Sequence, residues 1–124
     1  MSFFPYSASS DAEWRRIIAS QLNGRPWATR NVTSKTAAYT AAQGDDVILC
    51  NAAGAAFTIT LPPAGQFTGQ TFIIKKTDAS GNAVTVDADG SETIDSSTTY
   101  GLATRDECCT IISDGTGWRV IASI

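Results

Sequence analysis

Between Ala83 and Leu102 the chain reads AVTVDADGSETIDSSTTYGL, in which short runs of alternating residues are separated by polar turns. Val84 and Val86 alternate with Thr85 and Asp87, the period-two pattern of a strand with one buried face. Asp89-Gly90-Ser91 supplies a turn, because Gly tolerates positive φ and Asp bonds the backbone locally. Glu92 to Asp95 then reads as a further short strand centred on Ile94, and Ser96 to Thr99 as a turn leading into Tyr100 and Leu102. A chain punctuated this often has no room for long helices and points to an all-β body.

The same grammar runs from Thr36 to the end. Val47 to Asn51 is a mostly apolar run, and Phe57, Ile59 and Leu61 alternate with Thr58 and Thr60 until Pro62-Pro63 stops the strand. Phe72, Ile73 and Ile74 precede Lys75 and Lys76, and Asp78 to Asn82 forms the next turn. Cys108 to Ser113, the turn Asp114-Gly115-Thr116-Gly117 and Trp118 to Ser123 complete the series. About eight strands at spacings near ten residues predict an antiparallel β sandwich or prism-like module over 36–124. Its predicted core or trimer-packing residues are Phe57, Ile59, Leu61, Phe72, Ile74, Val84, Val86, Ile94 and Trp118.

Residues 1–35 read differently. They hold five basic and two acidic side chains, a net charge of +3, against −6 for 36–124. Ser10 and Glu13 fit a capping box, and Trp14, Ile17, Ile18 and Leu22 follow at i, i+3, i+4 and i+8, one apolar stripe. Asn23-Gly24 and Pro26 stop the pattern, which predicts a helix over about 11–23. Isolated helices below about 12 to 15 residues are marginal, so the stripe needs a partner surface. Phe3, Phe4, Tyr6 and Trp27 flank it with more aromatic surface than a small appendage holds in water. The segment is expected to act as an anchor.

Several function classes are excluded or weakened. The chain has no His, so neither a Ser-His-Asp nor a Cys-His centre is available to it. Asp87, Asp89, Glu92 and Asp95 invite a glycosidase pair, but no aromatic sugar platform lies near them and turn acids are the expected reading. As a calcium loop the same run fails, since Glu92 stands where the EF-hand template needs Gly and Thr98 where it needs Glu. No metal or cofactor is expected. The net charge of −3 argues against a nucleic-acid partner, and no apolar run approaches the roughly 18 residues of a membrane span. Met1 to Ser10 has neither a basic n-region nor an apolar h-region, so synthesis in a cytoplasm is expected. Cys50, Cys108 and Cys109 lack CxxC spacing and read as free thiols, mainly buried. Charged residues make up only 17% of the chain, which is low enough to suggest surface hidden in an oligomer.

The blocks FTITLP, TGQTFIIKKTD, AVTVDADGSETID with TTYGL, and IISDGTGWRVI together resemble a β module of structural proteins in tailed bacteriophages. Such modules occur in tail fibres, spikes, head fibres and capsid decoration proteins, and the resemblance covers about Ala38 to Ile124. It implies an intertwined homotrimer. WRRIIASQLNG resembles the short helices that join such modules to the virion. The expectation is a non-enzymatic virion protein, assembled in the host bacterial cytoplasm and partnered by itself and by a capsid or tail protein. Phe3, Phe4, Trp14, Arg15, Arg16, Ile17, Ile18, Leu22 and Trp27 would form its anchor interface. The favoured placement is a head fibre or capsid decoration protein, because one short anchor and one compact module leave no shaft for a long fibre. The alternatives are a tail fibre or tail-tip component contacting the host, and a carbohydrate-binding module stacking Tyr39 or Tyr100 on a host surface glycan.

Overall fold

The computed structural model describes residues 29–124, and the β body is the unit Asn31–Ile124, distinct from the unit Met1–Arg30. The helix expected over about 11–23 and every predicted anchor residue lie outside the described residues. Nine strands form the body: β1 Val32–Lys35, β2 Tyr39–Thr40, β3 Val47–Cys50, β4 Phe57–Thr60, β5 Thr71–Lys76, β6 Val84–Asp87, β7 Thr99–Leu102, β8 Cys108–Ser113 and β9 Trp118–Ser123. A single 3-10 turn, Ala64–Gln66, interrupts them between β4 and β5.

The strands divide into a five-stranded sheet of order β1-β3-β5-β8-β9 and a four-stranded sheet of order β2-β4-β6-β7. From β1 to β6 the chain alternates between the two sheets. Each strand therefore meets the next one of its own sheet in parallel: β1 with β3, β3 with β5, β2 with β4, and β4 with β6. This is a flattened coil of three turns. Antiparallel pairing begins only after it, with β6–β7, β5–β8 and β8–β9.

Both sheets are thus mixed, which corrects the antiparallel expectation. The physical reason lies in the connections. Ala41–Asp46, Asn51–Ala56 and Thr77–Ala83 carry the chain around a corner to the other sheet, where a tight hairpin would have returned it to its neighbour. A tight hairpin turn is found at Asp114–Gly117, where Gly115 takes φ 98° and Asp114 Oδ1 accepts from the amides of Thr116 and Gly117 at 2.9 Å each. That link does make an antiparallel hairpin. Two further corrections are local. Glu92–Asp95 forms no strand, because Asp95 turns to φ 58° and leaves Ile94 with isolated bridges to Ser97 and Trp118. Val32–Lys35 belongs to the β body, although the expected division placed it with the anchor.

One core lies between the sheets. Ile48, Cys50, Phe72, Ile74, Cys109 and Ile111 enter it from the five-stranded sheet, and Ile59, Val84, Val86 and Leu102 from the four-stranded one, all fully buried. Trp118 closes it, with its ring centroid 5.5 Å from that of Phe72. Of the nine predicted core or trimer residues, eight are buried within this single chain and Phe57 packs half-buried against them.

Candidate functional site

The outward-facing residues of the two sheets differ sharply. On the four-stranded sheet the register aligns Thr40, Thr60, Asp87 and Thr99 in one row and Thr58, Thr85 and Gly101 in another. Every one of those side chains is polar or absent, the composition of a solvated sheet face. On the five-stranded sheet the aligned outward positions are Val32, Val47, Ile73, Thr110 and Ala122, then Ser34, Leu49, Lys75 and Cys108. Thr71, Ile112 and Arg119 form a third row. Half of these twelve positions are aliphatic, against none on the four-stranded sheet.

Two polar clusters hold the coil together. Asp45, 7% exposed, accepts from the Thr33 hydroxyl at 2.9 Å, the Tyr39 hydroxyl at 2.7 Å and the Ala42 amide at 2.8 Å. Thr33 lies on β1 and Tyr39 on β2, so one carboxylate ties the first strands of both sheets. Burial works to raise the Asp45 pKa, but the bonds from Tyr39, Ala42 and Thr33 and the nearby Lys35 charge outweigh it and hold it below the ordinary value. Asp45 as acceptor in turn raises the Tyr39 phenol.

A carboxylate lowered in the folded state contributes stability above its unfolded pKa, near about 3.9, and loses it as pH falls through the folded value. Asp45→Asn is accordingly expected to cost about 1–2 kcal/mol at pH 7. The difference from wild type should shrink as pH drops below about 4, read from urea midpoints across the acid range. A constant difference would mean that the charge on Asp45 contributes nothing.

The second cluster centres on Lys76, whose side chain has 0% exposure. Its ammonium donates to Asp78 Oδ2 at 2.8 Å. Asp78 also accepts from the Ser80 hydroxyl and from the Ala52 amide, the latter at 2.7 Å. Asn82 Nδ2 donates to the Ala52 carbonyl at 2.9 Å, and Ser80 Oγ, whose proton goes to Asp78, lies 3.2 Å from the same oxygen. Two successive corners of the coil, after β3 and after β5, are pinned side to side. The Lys76 ammonium and the Ser80 hydroxyl hold Asp78 well below the usual carboxylate range.

Two of the four acids weighed for glycoside or calcium chemistry have structural partners. Glu92 accepts from the Ala64 amide at 3.0 Å, and Asp95 Oδ1 accepts from the Val120 amide at 3.2 Å. Asp87 stands in the threonine face. Among the described residues no three His, Cys, Asp or Glu side chains group as a metal site. Cys50 and Cys109 are buried, and burial pushes both thiols up to about 12, while Cys108 is half-buried on the aliphatic face. Tyr39 and Tyr100 pack half-buried against the core, and the Lys35 ammonium sits 4.0 Å from the Tyr39 ring centroid. Neither is the exposed platform that stacking on a sugar requires. A shallow cavity of about 240 Å³ lies between Thr104–Glu107 and Ile124, with the Glu107 carboxylate already bonded to the Ala103 and Thr104 amides.

Sequence reasoning missed Asp45 and Lys76. Asp45 looks like any turn acid beside Gly44 and Asp46. Lys76 had a readable signal, since it continues the inward positions Phe72 and Ile74 at period two. No family model and no curated protein matches the chain.

Proposed function

We propose that this chain is a non-enzymatic structural protein of a tailed-bacteriophage particle, a homotrimeric head fibre or capsid decoration protein held by its N-terminal segment. The observation that carries the reading is that the phage-like blocks are consecutive parts of one body. FTITLP is β4 with the buried Leu61 behind it, TGQTFIIKKTD is β5 with the turn before it, and IISDGTGWRVI is the β8–β9 hairpin. AVTVDADGSETID is β6 running into the Ile94 bridge. The polar residues of these blocks support the same reading: Asp78, Glu92 and Asp114 hold backbone amides in turns, and Asp95 holds an amide of β9. Such a body is a rigid spacer or cover, with its chemistry directed inward to the fold.

Labelled chain imaged on intact particles should decorate the capsid. Signal on the tail would overturn the head placement, and absence from particles would overturn the virion reading. In the full chain, Ile17→Asp combined with Ile18→Asp is expected to cut occupancy on particles by about tenfold or more, because it charges the predicted anchor stripe. Undiminished occupancy would remove the anchor role.

A further inference from the structure

We infer that the outward face of the five-stranded sheet is the surface on which copies of this chain assemble, so that these sheets line the axis of the homotrimer. The inference rests on the homotrimer proposed above and names its contact face. In a sheet with one solvated side, outward positions alternate as polar, which is what the threonine rows of the four-stranded sheet do. The five-stranded sheet breaks that rule. Val32, Val47, Leu49, Ile73 and Ile112 all point away from the core, and the exposure of Val32 reaches 60%. Strands that read as continuous apolar runs are ordinarily covered on both sides.

The chemistry of the face selects its occupant. Its two cations are already neutralised within the chain: Lys75 lies 3.8 Å from Asp106, and Arg119 Nε donates to Asp114 at 3.0 Å. A partner chosen by charge finds nothing to grip, whereas an identical aliphatic face meets no unpaired like charge at its centre. Three six-residue strands about 20 Å long and two four-residue strands about 13 Å long, about 4.8 Å apart, give a flat footprint near 410 Å². Two such faces bury on the order of 800 Å², and three meeting at one axis about 1,200 Å² in all, against a floor of about 1,000 Å² for a specific contact.

Ile73 stands on β5, the central strand of this sheet. In the full chain at micromolar concentration, Ile73→Asp should reduce the mass measured by light scattering from trimer to monomer. Thr58→Asp, on the threonine face, should leave it trimeric. A second arm does not depend on tolerating a charge. Ser34 and Thr99 are both exposed on the single chain, on the aliphatic and threonine faces respectively. Alkylation of Ser34→Cys in the assembled protein should be slower than that of Thr99→Cys by about tenfold or more. A trimer that survives Ile73→Asp and alkylates both cysteines at one rate would overturn this face and leave the trimer standing. A monomeric wild type with a reactive Ser34→Cys would overturn the homotrimer as well. A monomer with a protected Ser34→Cys would give the face to the chain's own residues and overturn assembly through it.

Discussion

Trp118→Ala is expected to lower the unfolding free energy of the β body by about 4 kcal/mol, within the range for truncating a buried aromatic. For a unit of this size that is a fall in Tm of about 20 °C. The side chain is 1% exposed and packs on Phe72. Its backbone closes the fold as well: the Trp118 amide donates to the Thr93 carbonyl at 2.8 Å, and the Asp95 amide donates to the Trp118 carbonyl at 2.8 Å. Gly117 brings this stretch so near that an added Cβ would meet Thr93 O at 3.1 Å. The cavity left by alanine therefore opens where β9 meets the segment that covers its edge. A loss below about 1 kcal/mol by calorimetry would mean that the site collapses freely around the smaller residue. Among the described residues Trp118 Nε1 is buried with no hydrogen-bond partner, and an unsatisfied buried donor costs about 1–3 kcal/mol. Replacing the indole N–H by sulfur, in a benzothienylalanine of the same shape, should consequently raise stability by about 1 kcal/mol or more.

Lys76→Ala should cost about 3 kcal/mol through the loss of a fully buried aliphatic stem. Lys76→Met keeps most of that stem and removes the ammonium, which separates packing from charge. The Asp78 carboxyl is held low chiefly by Lys76, so this contribution is present above the unfolded carboxylate pKa and disappears as pH falls through the folded one. Lys76→Met should therefore be less sensitive to acid than wild type between about pH 5 and 2, measured by urea unfolding at each pH. Parallel acid profiles for the two proteins would show that the ion pair contributes no net stability.

The inner wall of the fold was legible residue by residue. Phe57, Ile59 and Leu61, and likewise Val84 and Val86, alternate so regularly that one face had to be buried. The direction of strand pairing was not legible, because period-two alternation is the same beside a parallel or an antiparallel neighbour. What separates the two is the path of the corners, and Asp78–Asn82 reads as a turn in either case. β1 escaped because Val-Thr-Ser-Lys at a sheet edge offers a single aliphatic residue. Ile94 was over-read, since one isoleucine among turn residues suggests a strand that the φ of Asp95 breaks. At the candidate interface, the runs Val47–Leu49 and Phe72–Ile74 carried the signal of a second covered face. A mostly apolar run declares burial but does not say whether the cover comes from the same chain.

The alternation of β1 to β6 between sheets also sets the order in which the body can form. Val32 waits for Val47, Val47 for Ile73, and Phe57 for Val84, so each coil closes only after the chain has travelled out to the opposite sheet and back. Loop-closure entropy is lost at every such circuit before any contact rewards it, which places this topology among the slow folders. The β8–β9 hairpin is the local exception, closed by four residues. A chain emerging from the ribosome thus winds its coil first and receives its hairpin last, and until then the β5 edge that β8 will occupy is an open template for the wrong strand.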